Sequence, residues 1–448
     1  MLLLYSFLCV MNYTDILARF KIESLNEMQQ AAMKAIPQPG DTMLISPTGS
    51  GKTLAYLLPS LQLLDMDASG VQLMIIVPSR ELALQIEQVF KQMSTGYKIN
   101  CCYGGHSVRI EKNNLSHPPT VLVGTPGRIA YHLRNDNVSA VSAHTLVLDE
   151  FDKSLELGFQ EDMAYIISRM PGLRKRILTS ATQLAEIPPF VKARNVSALD
   201  FSTQREELKS RLNIMAVNIP EGMDKVEGLM LLIGAIGSGS KIVFCNHRDA
   251  VRRISQQLDR LSMPHGIYHG ELDQVEREKA LIKLRNGSTT LLITTDLAAR
   301  GLDIPEIDSV IHYQLPHTPD TMTHRNGRTA RMDASGTAYL LLESKDYIPP
   351  FLDEKPEEFL LPDHFTKPTP SQWQTLYIAA GKKDKINRTD IVGMLLQKGG
   401  LQKDELGKIE VLDNAAYAAI KSDKIRKTLS LIANEKIKNK KMKFEISS

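Results

Sequence analysis

Short apolar, β-branched runs alternate along this chain with longer stretches of helical periodicity, and no other feature limits the fold so tightly. One series comprises Thr42–Ser46, Gln72–Val77, Thr120–Val123, Thr145–Leu148 and Arg176–Thr179. A second comprises Lys241–Cys245, Thr290–Thr294, Ser309–Tyr313 and Thr337–Leu342. Strands spaced by helices predict βαβ units and parallel sheets, because parallel neighbours need a long crossover. Two series predict two α/β domains, divided near 200–210. Length agrees: a single core rarely grows past ~250–300 residues, and the chain has 448.

The pattern changes after a stretch with six prolines and several acids, 346–370. From Trp373 the order reads strand, helix, two strands, helix, strand, which is the ferredoxin-like plan shared by RNA-recognition domains. The expected division is 12–205, 206–348, a connector at 349–372, and a small α+β domain at 373–448. Charge is uneven in the same way. Residues 371–448 carry 16 Lys+Arg against 9 Asp+Glu, although the whole chain is only +3. A basic tail on a slightly acidic body suits a polyanionic partner, or simply a solvated lysine-rich surface.

Composition excludes several classes. Hydrophobic residues at 43% and charged residues at 23% are ordinary for a globular chain. No apolar run approaches the ~18 residues of a membrane-spanning helix. Cys9, Cys101, Cys102 and Cys245 lack C-x-x-C spacing, so neither a disulfide framework nor a zinc site is expected. Residues 1–14 lack charged side chains and a small-residue cleavage site, unlike a secretory signal. A cytoplasmic protein without a membrane partner is expected, with Met11 an alternative start.

The strongest local signal is Ser46-Pro-Thr-Gly-Ser-Gly-Lys-Thr53, directly after a strand and before a helical run. Thr48, Gly49, Ser50 and Gly51 form a loop whose glycines let backbone N–H groups approach phosphate. Lys52 supplies a charge for the β/γ-phosphates and Thr53 a hydroxyl for Mg²⁺. ATP and Mg²⁺ are the expected cofactors. Asp149-Glu-Phe-Asp152 follows the strand Thr145–Leu148, at the strand end that lines the crevice of an open parallel sheet. Asp149 is placed to hold Mg²⁺, and Glu150 to orient and deprotonate the attacking water. His324, Arg328 and Arg331 would share one face if helical. Such arginines answer the charge of a phosphoryl-transfer transition state.

Further motifs accompany these: Pro78–Gln85, Tyr103-Gly-Gly105, Thr125-Pro-Gly-Arg128, Ser180-Ala-Thr182, Val243–Asn246, His269–Arg277 and Thr295–Asp303. In this order the body resembles a DEAD-box RNA helicase: two RecA-like parallel-sheet domains and RNA-dependent ATPase activity. The resemblance implies that Gln29 reads the adenine edge and that Asp303 contacts the ribose. It implies that Arg80, Gly105, Thr125 and Arg128 grip the RNA backbone from the first domain, and Gln274, Arg277, Thr295 and Asp296 from the second. Arg300 and Gly301 would line the cleft. Ser180, Thr182, Asp152 and His324 would couple hydrolysis to domain closure. Phe244, Tyr103 and His312 read as core residues, and Gly104-Gly105 equally as a simple turn. Phosphate contacts position without choosing sequence, so little sequence preference and strong salt dependence are expected of the body.

Three positions depart from the family pattern. Phe151 makes the motif DEFD, Ser46 stands where the family has alanine, and Lys21–Asn26 lacks the usual Gly-Phe-x-x-Pro-Thr. The adenine-stacking aromatic has no match beyond Phe7 or Tyr13 by type. The tail resembles the RNA-binding domain of DbpA-type bacterial helicases, which implies ribosomal RNA as partner and large-subunit assembly as context. Its third strand offers only Tyr417 for stacking, so Lys382, Lys383, Lys385, Lys438, Lys440 and Lys441 are the expected RNA contacts. A monomer that remodels RNA is the leading reading. An ATP-timed clamp that does not unwind and a DNA-directed P-loop ATPase stand as alternatives.

Overall fold

The computed structural model describes residues 13–47, 49–105, 107–184, 186–202, 212–298, 304, 307–329, 336–352, 354–438 and 440–447. Thr48, Arg300, Gly301, Asp303 and Arg331, as well as Phe7 and Met11, lie outside them. The chain divides into two compact units between 208 and 209.

The first unit is built on a seven-stranded parallel sheet. Its strands are β1 (Thr42–Ile45), β2 (Leu73–Ile76), β3 (Ile99–Cys102), β4 (Val121–Gly124), β5 (Thr145–Leu148), β6 (Lys175–Ser180) and β7 (Ser197–Asp200). They lie in the order β3-β4-β2-β5-β6-β1-β7. Neighbouring side chains feed two cores. Leu44, Leu73, Ile75, Val123 and Val147 enter one, while Met43, Ile45, Met74, Ile76 and Leu148 enter the other. Burial on both faces is why these strands are continuous apolar runs instead of alternating ones.

The second unit opens with another parallel sheet: β8 (Leu212–Asn218), β9 (Lys241–Cys245), β10 (Gly266–Tyr268), β11 (Leu291–Thr295), β12 (Ser309–His312), β13 (Gly336–Leu342) and β14 (Glu357–Glu358). Its order is β10-β11-β9-β12-β13-β8-β14, the first sheet's order with each strand advanced by seven. The two sheets therefore repeat one topology. The proline-rich stretch is not a free spacer. Within it β14 pairs in parallel with β8, and Phe359, Leu361 and Phe365 pack on the second unit's core.

The tail forms a four-stranded antiparallel sheet from β15 (Trp373–Ile378), β16 (Leu406–Val411), β17 (Ala416–Lys421) and β20 (Phe444–Ile446). Between the last two, β18 (Lys436–Ile437) and β19 (Lys440–Lys441) make a short hairpin. The sheet order is β16-β17-β15-β20. Helices Arg388–Gln397 and Ile425–Ile432 cover one face, with Leu376, Ile378, Ile409, Ala418 and Ile420 between. Two seven-stranded parallel sheets and a small ferredoxin-like sheet are thus the fold class that the sequence implied.

Candidate nucleotide and RNA sites

The glycine loop leaves β1 and enters helix Lys52–Ser60 through Gly51, whose φ of 89° is left-handed. A side chain there would also meet Gln29, since an added Cβ would lie 2.6 Å from Gln29 Nε2. Lys52 Nζ donates to the carbonyls of Ser46 and Pro47, at 2.5 and 2.9 Å. The Ser46 hydroxyl donates to Ser50 Oγ at 2.7 Å, and that hydroxyl donates to Pro47 O at 2.8 Å. The serine that departs from the family pattern therefore braces the loop.

Gln29 is buried and part of the same structure. It closes a capping box with Asn26 on helix Glu27–Ala35, and its Nε2 donates to Gly51 O at 3.3 Å. Asn26 Nδ2 donates to Ser50 O at 3.1 Å. Asn26 was not singled out in the sequence, although an Asn three residues before a Gln ahead of a helix carries the capping signal.

The carboxylates sit at the end of β5, next to β6 and one strand from β1. Asp149 is buried. Its Oδ1 accepts from Glu150 N at 3.0 Å and from the Thr179 hydroxyl, and its Oδ2 from the Tyr56 phenol at 2.9 Å. Tyr56 lies one turn along the helix from Thr53. Burial first, then the Asp149 charge, pushes its pKa well above the ordinary value. The phenol therefore ties the helix that carries Thr53 to Asp149, and Thr53 and Asp149 offer the oxygen donors that suit Mg²⁺. Glu150 has a φ of 48°, a conformation that costs a non-glycine residue energy and turns the chain sharply off the strand. Asp152 Oδ2 accepts from Thr182 Oγ1 at 3.3 Å and from Ala181 N at 3.4 Å. Ser180 Oγ donates to Thr182 O at 2.5 Å. The structure thus brings Asp152, Ser180 and Thr182 together. Phe151 points away from them into the core, edge-on to Phe190 at 6.4 Å.

Arg80, Gly105, Thr125 and Arg128 are held by one network. Arg80 starts helix Arg80–Met93 and stacks over the Tyr103 ring at 4.4 Å. Gly105 has a φ of 76°, and an added Cβ would lie 3.5 Å from Arg80 Nη1. Thr125 stands at the N-terminal boundary of helix Pro126–Arg134, and its carbonyl accepts from Arg128 N at 3.1 Å. Arg128 Nε donates to Glu111 Oε2 at 2.6 Å. Glu111 itself was missed in the sequence.

In the second unit Gln274 opens helix Gln274–Arg285, its Nε2 donating to Glu278 Oε1 at 3.3 Å, and Arg277 follows one turn on. Thr295 ends β11. Asp296 is engaged by Arg325, whose Nε and Nη2 donate to Oδ1 at 2.6 Å and Oδ2 at 3.1 Å. Arg325 also donates to Gln314 O and Asn246 Oδ1, both at 2.7 Å. It is the largest fully buried side chain described, and nothing in the sequence sets it apart from the other basic residues of 324–331. The shared helical face of His324, Arg328 and Arg331 needs correction. Helix Pro319–Asn326 ends at Gly327, so Arg328 lies beyond it, buried, and Arg331 is outside the described residues. His324 Nδ1–H donates to Asp320 O at 2.6 Å. His312 and Phe244 are core residues, as read.

The tail lysines converge. Lys438 Nζ donates to Lys385 O at 2.7 Å and pairs with Asp390 at 2.8 Å, and Lys440 pairs with Asp384 at 3.4 Å. The β18–β19 hairpin is thereby tied to the turn Lys382–Asp384. The sheet face opposite the tail helices carries Thr375, Tyr377, Glu410 and Tyr417, and it rests on the second unit's helix and the loop after it. Arg285 donates twice to Glu410, at 2.9 and 2.6 Å. Asn286 Nδ2 donates to Thr375 Oγ1 at 2.9 Å. Tyr417 is buried against Tyr377, 5.4 Å between ring centroids. Burial, then Tyr377 and Glu278, raise the Tyr417 pKa to about 12.

Comparison with known proteins agrees with this arrangement. Residues 26–187 match the DEAD/DEAH box helicase family, 224–333 the helicase conserved C-terminal domain and 375–446 the DbpA RNA binding domain. The ATP-dependent RNA helicase DbpA of Escherichia coli is 30% identical over 451 residues, covering 95% of this chain and 97% of its own. DbpA of Bacillus subtilis is 30% identical over 447 residues, covering 93% of each. Among solved structures, S. cerevisiae Dbp5 bound to RNA and ADP BeF3 superposes with a TM-score of 0.68 at 24% identity. It covers 77% of this chain and 92% of that one. Among the described residues no helix is long and apolar enough to cross a membrane.

Proposed function

Since the chain belongs to the DEAD-box helicases and carries a DbpA RNA-binding domain, it is an ATP-dependent RNA helicase, and we propose that it remodels ribosomal RNA during large-subunit assembly. Support for the target comes from the tail: the DbpA domain match spans nearly all of it, and its lysines gather on two adjoining turns. A tail that supplies the address leaves the body free to grip RNA through phosphates, without sequence choice.

The observation that carries the hydrolytic reading is the Tyr56 bridge between the phosphate-loop helix and Asp149. It ties the residues proposed for phosphate, Lys52 and Thr53, to those proposed for metal and water, Asp149 and Glu150. When bound, Mg²⁺ would neutralise charge on the phosphate oxygens. Thr53 and Asp149 would hold it. Glu150 would take the proton of the attacking water, and its displacement from the strand line by the left-handed turn leaves Asp149 separately engaged. Arg328 and Arg331, together with the ribose contact Asp303 and the loop residue Thr48, complete the proposed set. The protein is proposed to act as a monomer in the cytoplasm.

Two measurements test this. Lys52→Ala and Glu150→Gln should abolish RNA-stimulated ATP turnover, with Glu150→Gln retaining ATP binding; full turnover in Glu150→Gln would remove the hydrolytic assignment. Crosslinking and sequencing of bound RNA should enrich large-subunit ribosomal RNA in the intact protein. The enrichment should be lost when the six tail lysines are neutralised. Equal enrichment in both would remove the tail as the addressing element.

A further inference from the structure

Glu111 is buried on helix Val108–Leu115, and its carboxylate is the meeting point of the β3 end, its own helix and helix Pro126–Arg134. Oε2 accepts from Arg128 Nε at 2.6 Å and lies 2.8 Å from His132 Nε2. Oε1 accepts from the Tyr103 backbone N–H at 3.1 Å. Tyr103 in turn carries the Arg80 guanidinium on its ring. One side chain therefore touches Thr125–Arg128 directly, the Tyr103–Gly105 turn directly, and Arg80 through one stacked ring.

Two chemistries fit such a cluster. Cys102, Glu111 and His132 offer sulfur, oxygen and nitrogen within 4.8 Å of one another, a donor set that zinc accepts. Yet the carboxylate already receives three donors, one of them a guanidinium. Burial raises the Glu111 pKa, but the bonds from His132, the Tyr103 N–H and Arg128 outweigh it and leave the group below its ordinary value. The acid is held charged by the protein's own donors, as a buried carboxylate must be.

We infer that Glu111 is a positioning residue for RNA binding, fixing Arg128 and the Tyr103–Gly105 turn so that the first domain presents a preformed phosphate-gripping surface. The inference rests on the reading that Arg128 contacts the RNA backbone. An arginine whose Nε is anchored has less side-chain freedom to lose when its guanidinium meets a phosphate oxygen. Without the anchor, binding RNA must also order a long side chain and a loop.

The test is RNA-stimulated ATP hydrolysis by the full chain, titrated with a single-stranded oligoribonucleotide at several salt concentrations. Glu111→Ala should raise the RNA concentration for half-maximal stimulation about tenfold, the size expected for losing hydrogen bonds to a charged group. Turnover at saturating RNA should be retained. The slope of log affinity on log salt should fall by roughly 0.7, one phosphate contact on a single strand. Glu111→Gln, which keeps the shape and one acceptor, should fall between wild type and Glu111→Ala, and it carries the test if Glu111→Ala does not fold. In an Arg128→Ala background Glu111→Ala should add clearly less than in wild type, since only its hold on the Tyr103–Gly105 turn is then left to lose. An equal loss in both backgrounds, or an unchanged salt slope, overturns the positioning role. Should Arg128→Ala itself leave RNA affinity unchanged, the reading of Arg128 fails first, and that outcome is separable from the others. Tighter RNA binding on adding zinc, absent from Glu111→Gln, would overturn the assignment in favour of a metal centre.

Discussion

The Tyr56 phenol donates a 2.9 Å hydrogen bond to Asp149 Oδ2, joining the helix that follows the phosphate loop to the first carboxylate of the Asp149–Asp152 motif. Both residues are buried, so neither oxygen can turn to solvent instead. Tyr56→Phe leaves Asp149 Oδ2 short of a donor while changing no volume in the core. A buried acceptor left unmet costs ~1–3 kcal/mol. ATP turnover should drop several-fold and the midpoint of urea unfolding should fall. Wild-type values for both in Tyr56→Phe would show that the bond contributes neither to stability nor to placing the carboxylate.

Phe151 supplies a prediction that runs against the motif letters. Phe151→Ala restores the family's DEAD spelling, yet the ring is fully buried and packs edge-on to Phe190. Truncating a core phenylalanine costs ~3–5 kcal/mol because the surroundings close only partly around the hole. Thermal unfolding should show a marked loss of stability in this change. A combined change with a larger residue at Phe190 should recover part of it. An unaltered melting temperature in Phe151→Ala would mean that the site collapses without cost.

Most of the sheet interior could be read from the chain, and four of the five unread strands share a physical cause. The two-sided strands announced themselves as apolar runs. The runs did not reveal β3, β7, β10 and β14, which are the edges of the two parallel sheets, nor β8, an interior strand whose side chains are mostly not fully buried. An edge strand needs no apolar second face and is safer without one. β7 is mostly exposed and β14 is a pair of glutamates. The site shows the same division. Lys52, Asp149 and Arg128 sit in contiguous motifs, whereas Glu111 and Tyr56 act by reaching across the fold. Nothing local marks a glutamate on an ordinary amphipathic helix as the partner of an arginine 17 residues away.

His312 predicts an acid sensitivity in the second unit. Burial first, then the Arg325 guanidinium, lower its pKa to about 3. Its Nε2–H donates to Asn326 Oδ1 at 2.9 Å. An unfolded chain binds this proton near pH 6.5, and the folded chain refuses it until about pH 3. The neutral ring's contribution is therefore complete above about pH 6.5 and shrinks steadily as pH falls towards 3. Between those limits one proton corresponds to ~1.4 kcal/mol per pH unit. Unfolding free energy measured from pH 7 to pH 4 should fall less steeply in His312→Gln than in wild type, by up to that slope. Parallel curves would place the acid sensitivity elsewhere.

The tail's position yields the last prediction. Arg285 and Glu410 form a two-pronged ion pair with each side chain only 18% exposed, and Asn286 and Ser288 both bond Thr375 beside it. The sheet face that other RNA-recognition domains use for stacking is here spent on the second unit, whereas Lys438 and Lys440 on the lysine turns keep much of their side chains exposed. Glu410→Arg puts two like charges in that contact and should release it. Amide hydrogen exchange across β16 and β17 should then quicken, and cleavage by a protease within the connector should rise. The reciprocal double change, Arg285→Glu with Glu410→Arg, should restore protection, because a bidentate carboxylate–guanidinium geometry survives exchange of its partners in part. If exchange is unchanged by Glu410→Arg, the neutral bonds of Thr375 with Asn286 and Ser288 hold the tail without the ion pair. If the double change protects no better than the single one, the pair sets no orientation and its close geometry is incidental.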